Sequence, residues 1–140
     1  MGNVRAEITP EYLNHCGDGM LVDLLGVEML TVAQGKLTSR MTVMQKHMGI
    51  NGYLHAASVV ALADSTCGNA VIAHLPEGAK GFTTIELKCN CISTMHSGTA
   101  LCTATAVHMG RSTQVWDATV TDAASGKTIA VFRATQLILW

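Results

Sequence analysis

The sequence contains little charge and few aromatic residues. Only 14% of its 140 residues are charged, the formal net charge is −1, and aromatic side chains make up 4%. The Lys and Arg residues are scattered along the chain, so no basic stripe indicates a nucleic-acid partner. With so few aromatic side chains, a stacked aromatic cage around a bound ligand is not expected.

Long uninterrupted apolar runs are also lacking. Polar residues interrupt the best candidate for a membrane span, and these are Ser58, Asp64, Ser65, Thr66 and Asn69. The first ten residues do not contain the apolar core of a signal peptide. We therefore expect a soluble, cytoplasmic protein with neither a membrane nor a nucleic-acid partner.

The cysteine pattern favours no disulfide and no metal site. The number of cysteines is odd, at five, and they lie at Cys16, Cys67, Cys89, Cys91 and Cys102. Most fall in segments that are predicted to be core, where a free thiol behaves as a small apolar group. Cys89 and Cys91 would share one face of a strand, but no Cys-x-x-Cys motif or nearby histidine pair completes a zinc site.

One segment combines a flexible loop with an unusually apolar helix. Residues 51–54 form a glycine-containing loop, and a helix is predicted from about His55 to His74. Apolar or small residues lie on all its faces, which is typical of a helix that is buried on most sides. The single charge in this helix is Asp64. Because burying an unpaired carboxylate is costly or raises its pKa, Asp64 is a candidate functional residue.

The remaining pattern predicts an α+β fold in one domain that spans residues 1–140. Thr9-Pro10-Glu11 is a helix-start sequence, so one or two short helices are expected within 9–25. A β-hairpin is predicted over 26–43. Four further strands are predicted after the long helix, at 82–95, 99–109, 113–123 and 127–139. Their short connections predict an antiparallel meander.

A helix that is apolar on all faces requires a sheet that curves around it. The predicted strands also have few charged residues on either face, so the second face of the sheet needs a cover. Dimerisation through the sheet is the simplest way to provide this cover.

Three motifs follow one another along the chain. The first is Gly52-Tyr-Leu-His55-Ala-Ala, with an acid, Asp64, nine residues after the histidine. The second is Thr83-Thr-Ile-Glu-Leu87, and the third is His108-Met-Gly-Arg-Ser-Thr-Gln-Val-Trp116. In this order they resemble the hotdog-fold acyl-CoA thioesterases, in particular the phenylacetate-pathway and enterobactin-pathway hydrolases. The resemblance covers about 25–139 and implies a long central helix wrapped by a curved antiparallel sheet.

The resemblance implies catalytic roles for residues near the start of the long helix. Asp64 would act as general base for water or as nucleophile on the thioester carbonyl, and a desolvated carboxylate suits both roles. The N–H group of Ala56 would polarise the thioester oxygen, because N–H groups of a first helical turn are unpaired. The relatives carry glycines where this chain has Ala56 and Ala57, and Ala57 is expected to contact the substrate. His55 would orient the carbonyl or cap the helix.

Two further residues are implied at the catalytic site. Relatives place a Gln or Asn side chain six residues before the histidine, where this chain has Gly49, and Asn51 could reach the same space. Thr84 corresponds to a hydroxyl that faces the site from the partner subunit, although an ordinary β-branched strand residue is the alternative.

Substrate contacts are expected from Gly68, Gly110 and Arg111. The last two lie in the turn after the fourth strand, where the resemblance implies contact with the pantetheine or phosphates of coenzyme A. No metal and no cofactor is implied apart from the coenzyme A of the substrate. The acyl group is expected to be aryl or of medium length, with aryl favoured by the third motif.

The rise of the helix places Ala56 and Asp64 about 12 Å apart, too far to serve one thioester. A two-fold dimer that brings Asp64 of one subunit opposite Ala56 of the other is therefore expected, with a dimer of dimers as the larger assembly. Two other functions stay open. One is hydration or dehydration of an acyl thioester on the same fold, and the other is non-catalytic acyl-CoA binding.

Overall fold

The structure, a computed structural model, describes residues 2–140. Its helices and strands are α1 Pro10–Cys16, α2 Leu21–Leu25, β1 Val27–Ala33, β2 Lys36–Thr42, α3 Ala56–Ala73, β3 Gly81–Cys91, β4 Thr99–Met109, β5 Thr113–Asp122 and β6 Thr128–Leu139. One turn of 3-10 helix, Gln45–His47, lies between β2 and α3. The predicted order of elements is confirmed, although β3 ends at Cys91 and not at Met95.

Helix α1 begins as its sequence predicts and covers one edge of the sheet. Thr9 is the N-cap, its hydroxyl accepts the N–H of Tyr12 at 3.2 Å, and proline follows as the first helical residue. Asn14 then bonds the backbone of β1 twice. Its Nδ2 donates to Met29 O at 3.0 Å, and the N–H of Met29 donates to Asn14 Oδ1 at 2.8 Å. The outward-facing backbone groups of β1 are therefore occupied at this point.

The six strands form one antiparallel sheet in the order β1-β2-β4-β5-β6-β3. Strand β3 pairs with β6 and not with β4, so the predicted meander is wrong at its first connection. Residues 92–98 cross the start of α3 and do not turn back along β3. Thr94 Oγ1 accepts the N–H of Leu54 at 3.0 Å, and His96 Nδ1 donates to Gly52 O at 3.0 Å. These tertiary contacts hold the crossing in place.

Helix α3 packs against all six strands. Leu62, Ala63 and Cys67 on its sheet side are fully buried. A neighbouring stripe, part of which faces β3, is only partly buried, and it consists of Val60, Ala61, Asp64, Ser65, Gly68, Asn69 and Ile72. The polar residues of α3 predicted that it is not a membrane span. By length and composition, however, α3 is long and apolar enough to cross a membrane, with a mean hydropathy of 1.4. Half of it is buried within the fold, and this match to a membrane span is by length and composition only.

His74 ends α3 and ties it to the sheet. Its ring is fully buried, Nδ1 donates to Ala70 O at 2.7 Å, and Nε2 accepts the N–H of Gly35 at 3.0 Å. The ring centre lies 5.2 Å from that of Trp116, and His74 O accepts Nε2 of Gln114 at 3.0 Å. Burial lowers the pKa of His74. The neutral ring that this favours is the form that both ring hydrogen bonds require.

Strand β3 is the open edge of the sheet, and most of its residues are exposed. Ile85 and Leu87 are 55% and 43% exposed, respectively. Cys89 and Cys91 lie on the face turned toward α3 with their sulfur atoms 4.0 Å apart. All five cysteines are free thiols, as predicted.

Candidate active site

The first turn of α3 has one backbone donor without an acceptor. His55 is the N-cap, and its Nδ1 accepts the N–H of Ala57 at 2.9 Å. The N–H of Ala56 makes no hydrogen bond within residues 2–140, and Ala56 is exposed. The backbone therefore leaves a donor at the position predicted for the oxyanion. The N–H of Ala57 is occupied, so Ala57 could contact a substrate only through its other atoms.

Asp64 lies two turns further along the partly buried stripe of α3. Its Oδ1 is sealed from solvent and has no hydrogen-bond partner, whereas Oδ2 keeps solvent contact. Burial raises the pKa of the Asp64 carboxyl, which makes its ionised form a stronger base. One chain does not bring Asp64 to Ala56, because eight residues of helix span about 12 Å.

His47 holds the loop that leads into α3. Its ring is fully buried, Nδ1 accepts the N–H of Met44 at 2.9 Å, and Nε2 donates to Leu25 O at 2.7 Å. Its main-chain oxygen accepts the N–H of His55 at 3.0 Å and the hydroxyl of Ser58 at 2.9 Å. His47 was not predicted as a site residue, because the polar Gln45 and Lys46 before it give no sign of burial.

A cavity of about 770 Å³ opens between this loop and the start of α3. It is lined by Met48, Gly49, Ile50, Asn51, Leu54, His55 and Ala56. A Cβ on Gly49 would lie 2.8 Å from Asn51 Oδ1 and 3.6 Å from His55 Cδ2. The amide of Asn51 therefore lies in the space beside position 49. Its Oδ1 also accepts the N–H of Tyr53 at 3.2 Å.

Thr84 faces α3 from the open edge strand. It pairs with Gln136 of β6, and Thr84 Oγ1 donates to Gln136 Oε1 at 2.8 Å. Gln136 is fully buried and was missed, because a single glutamine in a strand carries no motif. Gly68 lies one turn after Asp64. A Cβ on Gly68 would lie 3.2 Å from Phe82 Cζ, so this glycine lets the Phe82 ring pack against the helix.

Gly110 and Arg111 lie in a different cleft, also of about 770 Å³. The segment 75–79, which follows the end of α3, forms another part of its wall. The guanidinium of Arg111 lies over the ring of Trp140, 4.5 Å from the ring centre. Since α3 begins at Ala56 and this cleft adjoins its other end, one chain does not bring Gly110 and Arg111 to the Ala56 cavity.

Comparison with known proteins places the chain in a family. The family model of the Thioesterase superfamily matches residues 51–129. A 1,4-dihydroxy-2-naphthoyl-CoA hydrolase of Listeria monocytogenes is 33% identical over 104 residues, which cover 73% of this chain and 82% of the relative. A hydrolase of the same name from Escherichia coli is 27% identical over 136 residues, covering 96% and 98%. The crystal structure of a mutant thioesterase from Pseudomonas aeruginosa matches with a TM-score of 0.91 at 27% identity, covering 97% of each chain.

The chain therefore belongs to the thioesterase superfamily and has the hotdog fold. It is a thioester hydrolase, and acyl-CoA thioester hydrolysis is supported as its general activity. The family resemblance that the three sequence motifs indicated is confirmed.

Proposed function

We propose that this protein hydrolyses an aryl acyl-CoA, with Asp64 and Ala56 as its central catalytic groups. The observation that carries the proposal is the exposed N–H of Ala56, which begins α3 and has no acceptor within the described chain. A thioester oxygen bound there would receive a hydrogen bond at the positive end of the helix dipole. The half-buried Asp64 carboxylate supports the same proposal, because its raised pKa suits a base.

The reaction requires a water molecule, one base and one donor. The water oxygen attacks the thioester carbonyl while Asp64 takes its proton, and the tetrahedral oxyanion is stabilised by Ala56 N–H. The C–S bond then breaks, and coenzyme A leaves as a thiolate that takes up a proton. Attack by Asp64 itself would give a mixed anhydride that water then hydrolyses, and the same residues serve both routes.

Three side chains would support these groups. His55 holds the start of α3 by capping it, which keeps the donor at Ala56 in place. Asn51 offers an amide beside the cavity, where it can bind the carbonyl or the water. Thr84 would contribute to the site of the partner subunit as a hydrogen-bond acceptor, since its hydroxyl proton is donated to Gln136 of its own chain.

We propose that the working unit is a homodimer, with a dimer of dimers as the larger assembly. The open edge of β3 carries unpaired backbone groups and exposed apolar side chains, and pairing with a second copy would cover both. The partly buried stripe of α3 would be covered in the same contact. A two-fold axis would then place Asp64 of one subunit opposite Ala56 of the other.

The substrate class is proposed from the relatives and from the clefts. Two relatives are named for a CoA thioester of a bicyclic aromatic acid, which favours an aryl over a medium-chain acyl group. The acyl group would enter the cavity beside Ala56, with Ala57 and Gly68 near the dimer contact. Gly110 and Arg111 would contact the pantetheine or phosphates, where a guanidinium is a strong donor. Neither a further cofactor nor a nucleic-acid or membrane partner is proposed, and a cytoplasmic location stays a prediction.

The test is release of free thiol from a panel of aryl, medium-chain and short acyl-CoAs. The parent should favour the aryl substrates, and Asp64→Asn should lose about 10²- to 10⁴-fold in kcat, the range typical of a general base. Glu28→Gln is the matched control, because this exposed carboxylate lies on β1, away from the site. Parental turnover by a folded Asp64→Asn variant would refute the assignment, and equal turnover of all acyl groups would refute the aryl preference.

A further inference from the structure

Two buried side-chain atoms have no hydrogen-bond partner within residues 2–140. One is the acceptor Asp64 Oδ1, and the other is the donor Gln136 Nε2. Buried polar groups in native proteins nearly always have a partner, and an ordered water supplies it where the protein does not. A donor and an acceptor that are both unpaired are complementary.

Gln136 bonds its neighbour on β3 through its amide oxygen. Thr84 Oγ1 donates to Gln136 Oε1, which leaves Nε2 as the free end of the amide. The cross-strand neighbour Gln114 is equally buried but fully paired, since its Nε2 donates to His74 O and its Oε1 accepts Trp116 Nε1. The unpaired donor of Gln136 is therefore a feature of that position and not of buried glutamines in this sheet.

Two contacts between α3 and the β3 segment indicate where Asp64 lies relative to Gln136. Phe82 packs on Gly68, and Thr94, just after β3, bonds Leu54, just before α3. Helix and strand therefore run in opposite directions. Asp64 is one helical turn before Gly68, about 6 Å along the axis.

Thr84 is two strand residues beyond Phe82, about 6.6 Å in the same direction. Because the two steps are nearly equal, Asp64 is expected to lie opposite Thr84. Gln136 is the partner of Thr84 on β6. Asp64 and Gln136 make no direct hydrogen bond. A bridging water can pair two groups that are too far apart to bond directly.

We propose that Asp64 Oδ1 and Gln136 Nε2 form a buried binding site for one water molecule, and that through this water Gln136 is a positioning residue for the Asp64 carboxylate. The proposal rests on the proposed function only for the catalytic consequence. The water site itself is independent of it.

The bridge would act on both the direction and the charge of the carboxylate. Holding Oδ1 toward the sheet leaves Oδ2, the oxygen with solvent contact, for the reacting water or the thioester. A hydrogen bond to the ionised form lowers the pKa of Asp64, which opposes the rise caused by burial. The other groups here bring no competing charge, because Thr84 and Gln136 are neutral and burial raises the pKa of the Cys67 thiol.

The kinetic test is Gln136→Met, which keeps the length of the side chain and removes the donor. We expect kcat to fall about tenfold with KM changed less than about twofold, as for a group that acts only on the chemical step. The acidic limb of the kcat pH profile should move to higher pH, because the ionised carboxylate loses a hydrogen bond. Gln114→Met is the matched control, since it should cost stability without moving that limb.

A crystal structure of the free parent protein tests the site without reference to activity. It should show an ordered water within about 3 Å of both atoms. A dry gap or a direct bond between the two atoms would overturn the water site even if Gln136→Met fails to fold. If the parent releases no thiol from any acyl-CoA, the proposed function fails, and the crystal structure alone then decides the water site. If the acidic limb of the kcat pH profile is unchanged in an active Gln136→Met enzyme, the positioning role is overturned while the proposed hydrolase function stands.

Discussion

His74→Phe should destabilise the protein strongly at neutral pH and much less in mild acid. The substitution keeps a buried ring beside Trp116 but removes the bonds to Ala70 O and Gly35 N–H. Each buried group left without a partner costs about 1–3 kcal/mol, and Gly35 is near enough to the surface to regain part of its loss. We therefore expect the free energy of unfolding to fall by about 2–4 kcal/mol at pH 7.5.

The pH dependence of this effect follows from the direction in which the pKa of His74 is shifted. Burial lowers the pKa of His74 in the folded protein, from the ordinary value of 6.5 that the unfolded chain retains. Below that pH the unfolded chain binds more protons, so the stabilisation is complete above pH 6.5 and declines as the pH falls toward the folded pKa. The decline is at most about 1.4 kcal/mol per pH unit.

The measurement is denaturant unfolding of parent and variant at several pH values and one protein concentration. The gap between their unfolding free energies should narrow as the pH falls from 7.5 to 5. His74→Gln, which retains a donor and an acceptor but does not titrate, should be closer to the parent at pH 7.5. A gap that stays constant or widens in acid would refute the assignment of a neutral, doubly bonded His74.

Three further perturbations have defined outcomes. Gly110→Ala should unfold at slightly lower temperature in a melting experiment, because the new Cβ would lie 3.1 Å from the backbone oxygen of Thr113, while the exposed His108 ring can turn away, and an unchanged melting temperature would contradict this packing. Arg111→Gln should raise KM several-fold for a CoA thioester but not for the matching pantetheine thioester, which lacks the nucleotide phosphates, so an equal rise for both would argue against a phosphate contact. Asn14→Ala should lower the free energy of unfolding by about 1–3 kcal/mol, since Met29 loses both backbone partners, and a neutral result would show that water replaces them.

The parts of the fold that depend on local pattern could be predicted from the sequence. The long apolar run predicted α3, alternating apolar residues and turn residues predicted the strands, and Thr9 and Pro10 predicted the start of α1. The pairing of β3 with β6 could not be read in this way. A short polar segment has the same composition in a hairpin turn and in a crossover connection. The hydrogen bond between Thr94 and Leu54, which fixes 92–98 as a crossover, joins distant parts of the chain.

The same distinction applies to the candidate site. Asp64 and Ala56 lie in a motif, so a single sequence identifies them. His47 and Gln136 act through burial and through partners more than twenty residues away, as the bond from His47 to Leu25 O shows. A residue of this kind carries no local signal, because its importance depends on what the fold brings to it.

The two edges of the sheet differ in a way that limits how copies can assemble. Asn14 occupies backbone groups on the β1 edge, whereas the β3 edge has no such cover within the described chain. A sheet with two open edges could add copies without end, but a sheet with one can only pair with another of its kind. The pair then has a covered edge at each end. Asn14 is therefore one of the groups that limit the assembly to a pair.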